Sequence, residues 1–566
     1  MQNSNTGFET VLLSSLSKVF ADGELEDKPC TSGTALRKEV FSFQLAYRSA
    51  RLLKQVTVRL VSDILPNISV RTVGLVPSEL PCYHDHDDNV LRSSPGLYPD
   101  PLLPLRFTAI EGSASFVSEA MNVYPAQWRS LWISVDVTED MPQGSYPIRL
   151  TMEAETGEQL AEETFDLTVI GAALPEQRLI HTEWFHTDCL ATHYKVDVFN
   201  EEHWSLIERY VQTAVRHGIN MILTPLFTPP LDTAVGGERP TVQLVDVQKD
   251  GDTYTFGFAR LLRWVELCRS SGVKYFEFSH LFTQWGAKHA PKIIAAVDGE
   301  AKQIFGWETD AAGEAYAAFL RQLLPELTGF IREHGLEGSC YFHVSDEPHL
   351  DHLESYGKAS ALVRDLLADF PVIDALSDYA FYEKGLVRKP VPSNDHIGTF
   401  IENGVPDLWT YYCCLQYKQV SNRFFNMPSV RNRMMGWQLY KYNIEGFLHW
   451  GYNFWYTQHS LKQIDPYRVT DAGGAFPSGD SFLVYPGEDG YPVESVRLSV
   501  FREALQDLRA LQLLERLIGR ERTLALVEEE LLAPLTFTEA PADLSWLLRR
   551  RARVNALIRE AAGQAV

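Results

Sequence analysis

The stretch Cys340-Tyr341-Phe342-His343-Val344-Ser345-Asp346-Glu347-Pro348-His349 decides the fold. An apolar run, Cys340–Val344, leads straight into two adjacent carboxylates, and a proline then stops the strand. Upstream, Tyr316, Leu320, Leu323, Leu327 and Phe330 keep helical spacing up to Gly335, a glycine placed as a C-cap. Downstream, a helix through Leu353, Leu362 and Leu366 precedes a fifth apolar run, Val372–Leu376. This is the grammar of a βα repeat, and it extends in both directions.

Towards the N-terminus, Ile180–Phe185 precedes a helix bearing Trp204, Ile207, Val211 and Ala214. Asn220–Thr224 precedes one bearing Phe258, Leu261, Leu262, Val265 and Cys268, and Val273–Phe278 is the third strand. Towards the C-terminus, Lys389–Ser393, Asp407–Cys413 and Gly446–Trp450 supply strands six to eight, and a last helix starts near Val496. Eight units with long loops after the strands predict a (β/α)8 TIM barrel over 175–518. Before it, Val56/Val58/Leu60, Leu131/Ile133/Val135/Val137 and Phe165/Leu167/Val169 alternate with polar residues. A hairpin is expected between Tyr146–Ala154 and Ala161–Ile170, turning near Thr156-Gly157. Period-two runs of this kind predict an N-terminal β-sandwich over 1–174. Residues 519–566 read as a helical extension packing onto the barrel, with Leu544, Leu547, Leu548, Val554, Leu557 and Ile558 at helical spacing.

Composition narrows the function. The chain has 566 residues, 45% hydrophobic and 22% charged, as in ordinary globular proteins. Its 51 Lys+Arg against 74 Asp+Glu give a net charge of −23, which argues against nucleic acid or an anionic membrane as partner. No apolar stretch approaches a membrane span, and Met1–Phe20 is too polar for a signal peptide, so a cytoplasmic location is expected. Seven scattered cysteines without a CxxC pair favour free thiols. Nothing in the sequence sets the oligomeric state.

In a barrel of this kind the chemistry lies at the C-terminal strand ends. Asp346 and Glu347 are therefore the candidate catalytic pair, against the plainer reading of acidic and proline residues opening a helix. Two consecutive carboxyls cannot readily flank a sugar ring from opposite faces, as ordinary glycosidases require. They suit substrate-assisted cleavage, in which one protonates the leaving oxygen and the other orients a 2-acetamido nucleophile. Aromatic and polar strand ends supply a sugar platform: Trp184 and His186 after the first strand, His280 and Trp285 after the third, Tyr411 or Tyr412 at the seventh, and Trp450, Tyr452, Asn453, Trp455 and Tyr456 after the eighth.

Metal and cofactor signals are weak. Cys82-Tyr83-His84-Asp85-His86-Asp87-Asp88 reads as a polar loop in the first domain. His181, His186, Cys189 and His193 lack ligand spacing, and no Gly-rich phosphate loop or nucleophile elbow occurs, so no metal or cofactor is expected. Cys413-Cys414 reads as buried small hydrophobes.

Several ordered segments together resemble glycoside hydrolase family 123 over nearly the whole chain. They are Glu39-Val40-Phe41-Ser42-Phe43-Gln44, His217-Gly218-Ile219-Asn220, Ser345-Asp346-Glu347-Pro348, Leu408-Trp409-Thr410-Tyr411-Tyr412-Cys413, Gly446-Phe447-Leu448-His449-Trp450-Gly451 and Tyr485-Pro486-Gly487. Ser495–Leu511 resembles the family's final helix, with Ala504-Leu505-Gln506-Asp507 a looser match. The resemblance implies a β-N-acetylgalactosaminidase-like hydrolase that retains configuration through substrate assistance. Glu347 would be its general acid/base and Asp346 the group orienting the acetamido nitrogen, with Tyr411 or Tyr412 on the acetamido carbonyl. The rival readings are a glycosidase of the same fold acting on another sugar and a non-hydrolytic carbohydrate-binding protein; the intact Asp346-Glu347 pair argues against the latter.

Overall fold

Eight short parallel strands, β1 (Ile180–Glu183), β2 (Met221–Thr224), β3 (Tyr275–Phe278), β4 (Cys340–Tyr341), β5 (Ile373–Ala375), β6 (Lys389–Val391), β7 (Trp409–Tyr411) and β8 (Gly446–His449), carry one of two units in the computed structural model. That model describes residues 7–564; the first six residues of the stretch weighed as a leader lie outside it. The chain divides into one unit of Arg178–Val420 and Tyr442–Pro492, and another of Met1–Gln177, Ser421–Lys441 and Val493–Val566.

Six of the strands form a curled half-barrel in the order β4-β3-β2-β1-β8-β7, while β5 and β6 pair separately. Single parallel bridges, Phe342 to Val372 and Ser393 to Tyr411, join β5 to the β4 end and β6 to β7. Regular pairing alone therefore does not make the closed eight-stranded barrel expected from the sequence. The expected fourth strand, Cys340–Val344, leaves its ladder after Tyr341 because the N–H groups of Val344 and Ser345 donate to the Asp374 carboxylate instead of to a neighbouring strand. Helices Glu201–Arg216, Ala259–Ser270 and Glu314–Glu333 follow β1, β2 and β3; the first and third bury the apolar stripe that their periodicity marked, and the second buries Leu261, Val265 and Cys268 of its stripe while Phe258, its N-cap, and Leu262 stay partly exposed. A second sheet was not legible: Asp246–Asp250, Thr253–Gly257, Ile293–Val297 and Glu300–Phe305 form a four-stranded insert of largely half-exposed strands, two of them charged and one, Ile293–Val297, apolar throughout, so that together they carry little apolar alternation.

In the other unit, Phe8–Ser14, Glu39–Ser49, Arg129–Val137, Ile68–Ser78 and Gly96–Pro104 form a five-stranded sheet in that order. A seven-stranded sheet is built on Ser32–Arg37, Gln159–Ala173, Gly144–Glu153 and Leu53–Val61, including the hairpin expected at Thr156-Gly157. All ten alternating apolar residues singled out above are buried in one core. Phe43 of the first sheet and Phe165 of the second stack there, with ring centroids 4.0 Å apart. Burying each such side chain contributes about 1.5–3 kcal/mol.

Helices Met435–Lys441, Val496–Ile518 and Leu544–Gln564 belong to this unit. The tail helix was expected against the barrel; it packs beside the Val496–Ile518 helix, read from the sequence as the barrel's last but grouped here with the N-terminal sheets, and on the sheet edge at Ser32–Arg37 and Gln159–Ala173. Helical periodicity reports that a face is buried, not which layer buries it. Gly436 lets two helices approach closely, since a Cβ there would sit 1.9 Å from the Ala504 carbonyl oxygen.

A buried charge network ties the pieces together. Arg433 donates to both oxygens of Asp507 at 2.8 and 2.9 Å, and Arg551 Nε donates to Asp507 Oδ1 at 2.8 Å. Arg551 also binds Glu39, and Trp437 Nε1 donates to Asp507 at 3.0 Å. Gln506 brackets Val40, accepting its N–H at 2.8 Å and donating to its carbonyl at 3.1 Å. The motif segments beginning at Glu39 and Ala504 thus meet as structure. Burial works against the Asp507 charge, but the two guanidiniums outweigh it and hold the carboxyl below its usual range. Asp507→Asn should cost about 3 kcal/mol at pH 7, measured as a lower denaturant midpoint, because it removes one partner from buried ion pairs. A depressed folded pKa stabilises above the unfolded value near 3.9 and loses that contribution as pH falls, so the variant's deficit should shrink on acidification.

Candidate active site

The segment that leaves β4 is stitched on both sides. On one side, Leu281 and Phe282 donate to the carbonyls of His343 and Val344, and Trp285 N donates to Asp346 O at 3.0 Å. On the other, Glu347 N donates to Ala375 O at 3.0 Å, and Asp374 Oδ1 accepts from Val344 N at 3.0 Å and Ser345 N at 3.3 Å. Ser345 Oγ reaches Thr283 O at 2.7 Å. Glu347 sits at φ +43°, a left-handed conformation that costs a non-glycine residue energy and persists only where surroundings impose it.

Beneath the pair, His343 is fully buried, with Nε2 2.6 Å from Glu277 Oε1 and Nδ1 3.2 Å from Asp374 Oδ1. A carboxylate on each ring nitrogen requires a proton on each. Burial opposes that charge, but the hydrogen bonds to Asp374 and Glu277 prevail and raise the pKa to about 9, so His343 is an imidazolium at neutral pH. Glu277 also accepts from Trp184 Nε1 at 2.7 Å and from Thr182, and Tyr356 donates to Asp374. His280 stacks on His343 at 4.2 Å, and burial and that neighbouring charge lower its pKa, leaving it neutral. His280, His343 and Asp374 place potential metal-ligand atoms within 4.8 Å of one another. Both His343 nitrogens are already engaged by carboxylates and the two rings lie nearly parallel, an arrangement that suits a charge network better than convergent coordination.

Asp346 is buried and accepts from Gln284 Nε2 at 2.7 Å. Half-buried Glu347 accepts from the Tyr411 hydroxyl at 2.8 Å, with Cys413 Sγ 3.9 Å from the same oxygen. Burial raises the pKa of both carboxyls, and the charge of Glu347 raises Asp346 further, while Gln284 and Tyr411 work in the opposite direction. Two desolvated acids side by side hold one proton more readily than none.

The other residues read from the sequence separate into distinct places. Tyr411, rather than Tyr412, reaches the pair; Tyr412 packs against Phe447 and His449. Trp184 lies under the pair on Glu277, its ring edge-on to His280. Half-buried Trp450 packs against the cluster containing Trp184, Tyr411 and Cys413, and its Nε1 donates to Asp480 at 3.0 Å. His186 and Asn453 bind each other through main-chain and side-chain atoms, and Arg239 and the Trp450 carbonyl take the His186 ring nitrogens. Trp455 is buried, with Nε1 on the Val484 carbonyl. The polar atoms of these last three residues are engaged within the protein.

Sequence reasoning missed Gln284, Glu277 and Asp374. The last two carried a signal, since each is an acid inside an apolar strand, where an unpaired charge would be costly. Trp285, read from the sequence as the platform aromatic after the third strand, follows Gln284 and is 36% exposed, with its backbone N–H on the Asp346 carbonyl.

No curated protein matches the chain. In fold, the chain is similar to a family 123 glycoside hydrolase from Clostridium perfringens, studied for glycolipid glycan hydrolysis: TM-score 0.74, 15% identity, covering 99% of this chain and 100% of that one. A β-glucuronidase from Parabacteroides merdae aligns at TM-score 0.29 and 10% identity over 88% of this chain and 53% of that one, too weakly to carry an argument. The description "Glycoside hydrolase 123, catalytic domain" matches residues 184–514, more than half of the chain and the whole of the Asp346–Glu347 site. The chain is a glycosidase and belongs to glycoside hydrolase family 123.

Proposed function

We propose that this glycosidase removes terminal β-linked N-acetylhexosamine, N-acetyl-β-galactosaminide in first place, with retention of configuration through the substrate's own 2-acetamido group. The observation that carries the reading is the adjacency of Asp346 and Glu347 in unlike surroundings, an amide N–H on one and a phenol on the other. The glycolipid glycan context of the Clostridium perfringens enzyme makes such glycans the natural class to try. We also read the eight strands as a (β/α)8 barrel, supported by the bridges at Phe342–Val372 and Ser393–Tyr411, and the two N-terminal sheets as a β-sandwich.

In this reading Glu347 gives its proton to the glycosidic oxygen as the anomeric C–O bond breaks. The acetamido oxygen attacks the anomeric carbon and closes an oxazoline-like ring, while Asp346 accepts the hydrogen bond of the amide N–H and offsets the charge it gains. Water then attacks the anomeric carbon, its proton passes to Glu347, and the ring reopens. Tyr411, on Glu347 Oε1, leaves Oε2 for the proton and stands within reach of the acetamido group. Tyr411 and Trp450 contact the sugar, Trp184 and His280 form the floor, and His186, Asn453 and Trp455 hold the surrounding loops.

On chromogenic β-glycosides, the 2-acetamido sugars should be cleaved and plain galactosides and glucosides should not; equal rates on both would remove the substrate-assisted step. Glu347→Gln should lower kcat by about 10²–10⁴ on substrates with poor leaving groups and by much less where the leaving group needs no proton. Full activity of this variant on a natural glycan would refute the assignment. Asp346→Asn should be severely impaired whatever the leaving group. Because burial raises the Glu347 pKa, its protonated form persists to higher pH than an ordinary glutamic acid, so the alkaline limb of kcat/KM should lie above the usual carboxylate range.

A further inference from the structure

We propose that Gln284 is a positioning residue that decides which of the two adjacent carboxyls is ionised, holding Asp346 as the carboxylate so that the proton resides on Glu347. The inference rests on the roles given to the pair above and deepens them.

The argument is one of donors and acceptors. Gln284 Oε1 accepts the backbone N–H of Asp232, and Nε2 donates to Asp346 Oδ2 at 2.7 Å. A backbone N–H can only donate, so the amide cannot flip without losing that bond, and its NH₂ must face Asp346. A fixed donor favours the ionised form of its acceptor. Glu347 faces a hydroxyl, which donates to the carboxylate but can also turn and accept from a protonated carboxyl, as an amide N–H cannot. Without this bias the shared proton could settle on Asp346, which would then have no charge to offset that of the acetamido nitrogen while Glu347 had no proton to give.

The orienting N–H is itself held. Asp232 Oδ2 accepts from His459 N at 3.0 Å, its carbonyl from Ser460 Oγ at 2.6 Å, and Ala234 N donates to His459 O at 3.2 Å. Asp232, His459 and Ser460 stand at φ +39°, +59° and +56°, and Trp285, next to Gln284, at +54°. Left-handed non-glycine residues in three contacting loops mark a conformation imposed by its surroundings. The charged groups around the pair are His343 beneath Asp346, Asp374 and Glu277 on that histidine, Asp480 and His349 towards Glu347, and Asp232 behind Gln284. Of these only His343 and His349 are cationic when protonated, and His343 is already balanced by two carboxylates. The neutral donor is therefore what breaks the symmetry.

The test uses the full chain with Gln284→Met, which keeps length and apolar volume but has no donor, and Gln284→Glu, which substitutes another acid. Losing a hydrogen bond to a charged acceptor should raise the acid limb of kcat/KM on an aryl N-acetyl-β-galactosaminide by about one to two pH units in Gln284→Met, with rates recovering at higher pH. Gln284→Glu should move it further. A purely structural role would lower the rate at every pH and leave the limb in place, and that outcome overturns the proposal. Infrared titration of the Asp346 carboxyl, isolated by difference against Asp346→Asn, should show the same rise without any substrate. An unmoved carboxyl there refutes the proposal even if no acetamido sugar proves to be a substrate, whereas inactivity on all acetamido sugars alone would refute the functional reading. If Gln284→Met does not fold, Gln284→Glu decides by the same two measurements.

Discussion

One carboxylate, Asp374, organises the segment that carries the two adjacent acids. Its Oδ1 collects three donors from a single stretch, the ring of His343 and the backbone N–H groups of Val344 and Ser345, while Tyr356 takes Oδ2. A strand that would otherwise continue its ladder is thereby bent so that its next two residues, Asp346 and Glu347, both turn into the site. The same carboxylate fixes the proton on one nitrogen of His343, as Glu277 does on the other. Removing it would leave two buried N–H groups and an imidazolium short of partners at once, each an expensive loss in a dry interior. The placement of Asp346 and Glu347 is therefore a property of three neighbouring strand ends, β3, β4 and β5.

What the chain discloses before folding follows from this. Asp346 and Glu347 are legible because an apolar run ends on them. Asp374 and Glu277 were passed over because the apolar residues flanking each dominate any periodicity measure, although an acid inside such a run is the rarer event and the one that needs a partner. The strand positions of the half-barrel were legible to within a few residues, as were the inward faces of the N-terminal sheets, since both depend on local alternation. The insert sheet was hidden because half-exposed strands need no apolar face. The placement of the last helices was hidden because a buried stripe, such as that carrying Leu547 and Val554, is the same whichever layer covers it.

The aromatic residues give a parallel case. Strand-end aromatics were grouped as a sugar platform on position alone. Folded, Trp184 uses its N–H to complete Glu277, and Trp455 uses its N–H on a backbone carbonyl. A buried indole must find an acceptor, and the acceptor it finds decides whether it supports the site or faces it. Trp450, against the Tyr411 cluster, is only half-buried, and Trp285, whose backbone is pinned to Asp346, is exposed.

Adjacency of the two acids is the feature that most constrains mechanism. Carboxyls on separate strands can be tuned separately by burying one and solvating the other. Consecutive residues share one environment, so burial raises both together and the charge of one raises the other. Such a site can run acid chemistry near neutral pH only if its donors are placed unequally, because desolvation alone cannot tell the two apart. Here the inequality comes from different strand ends: an amide N–H after β3 on Asp346, and a hydroxyl from β7 on Glu347. A chain that kept the two acids but lost either donor would keep the motif and lose the distinction that the motif needs.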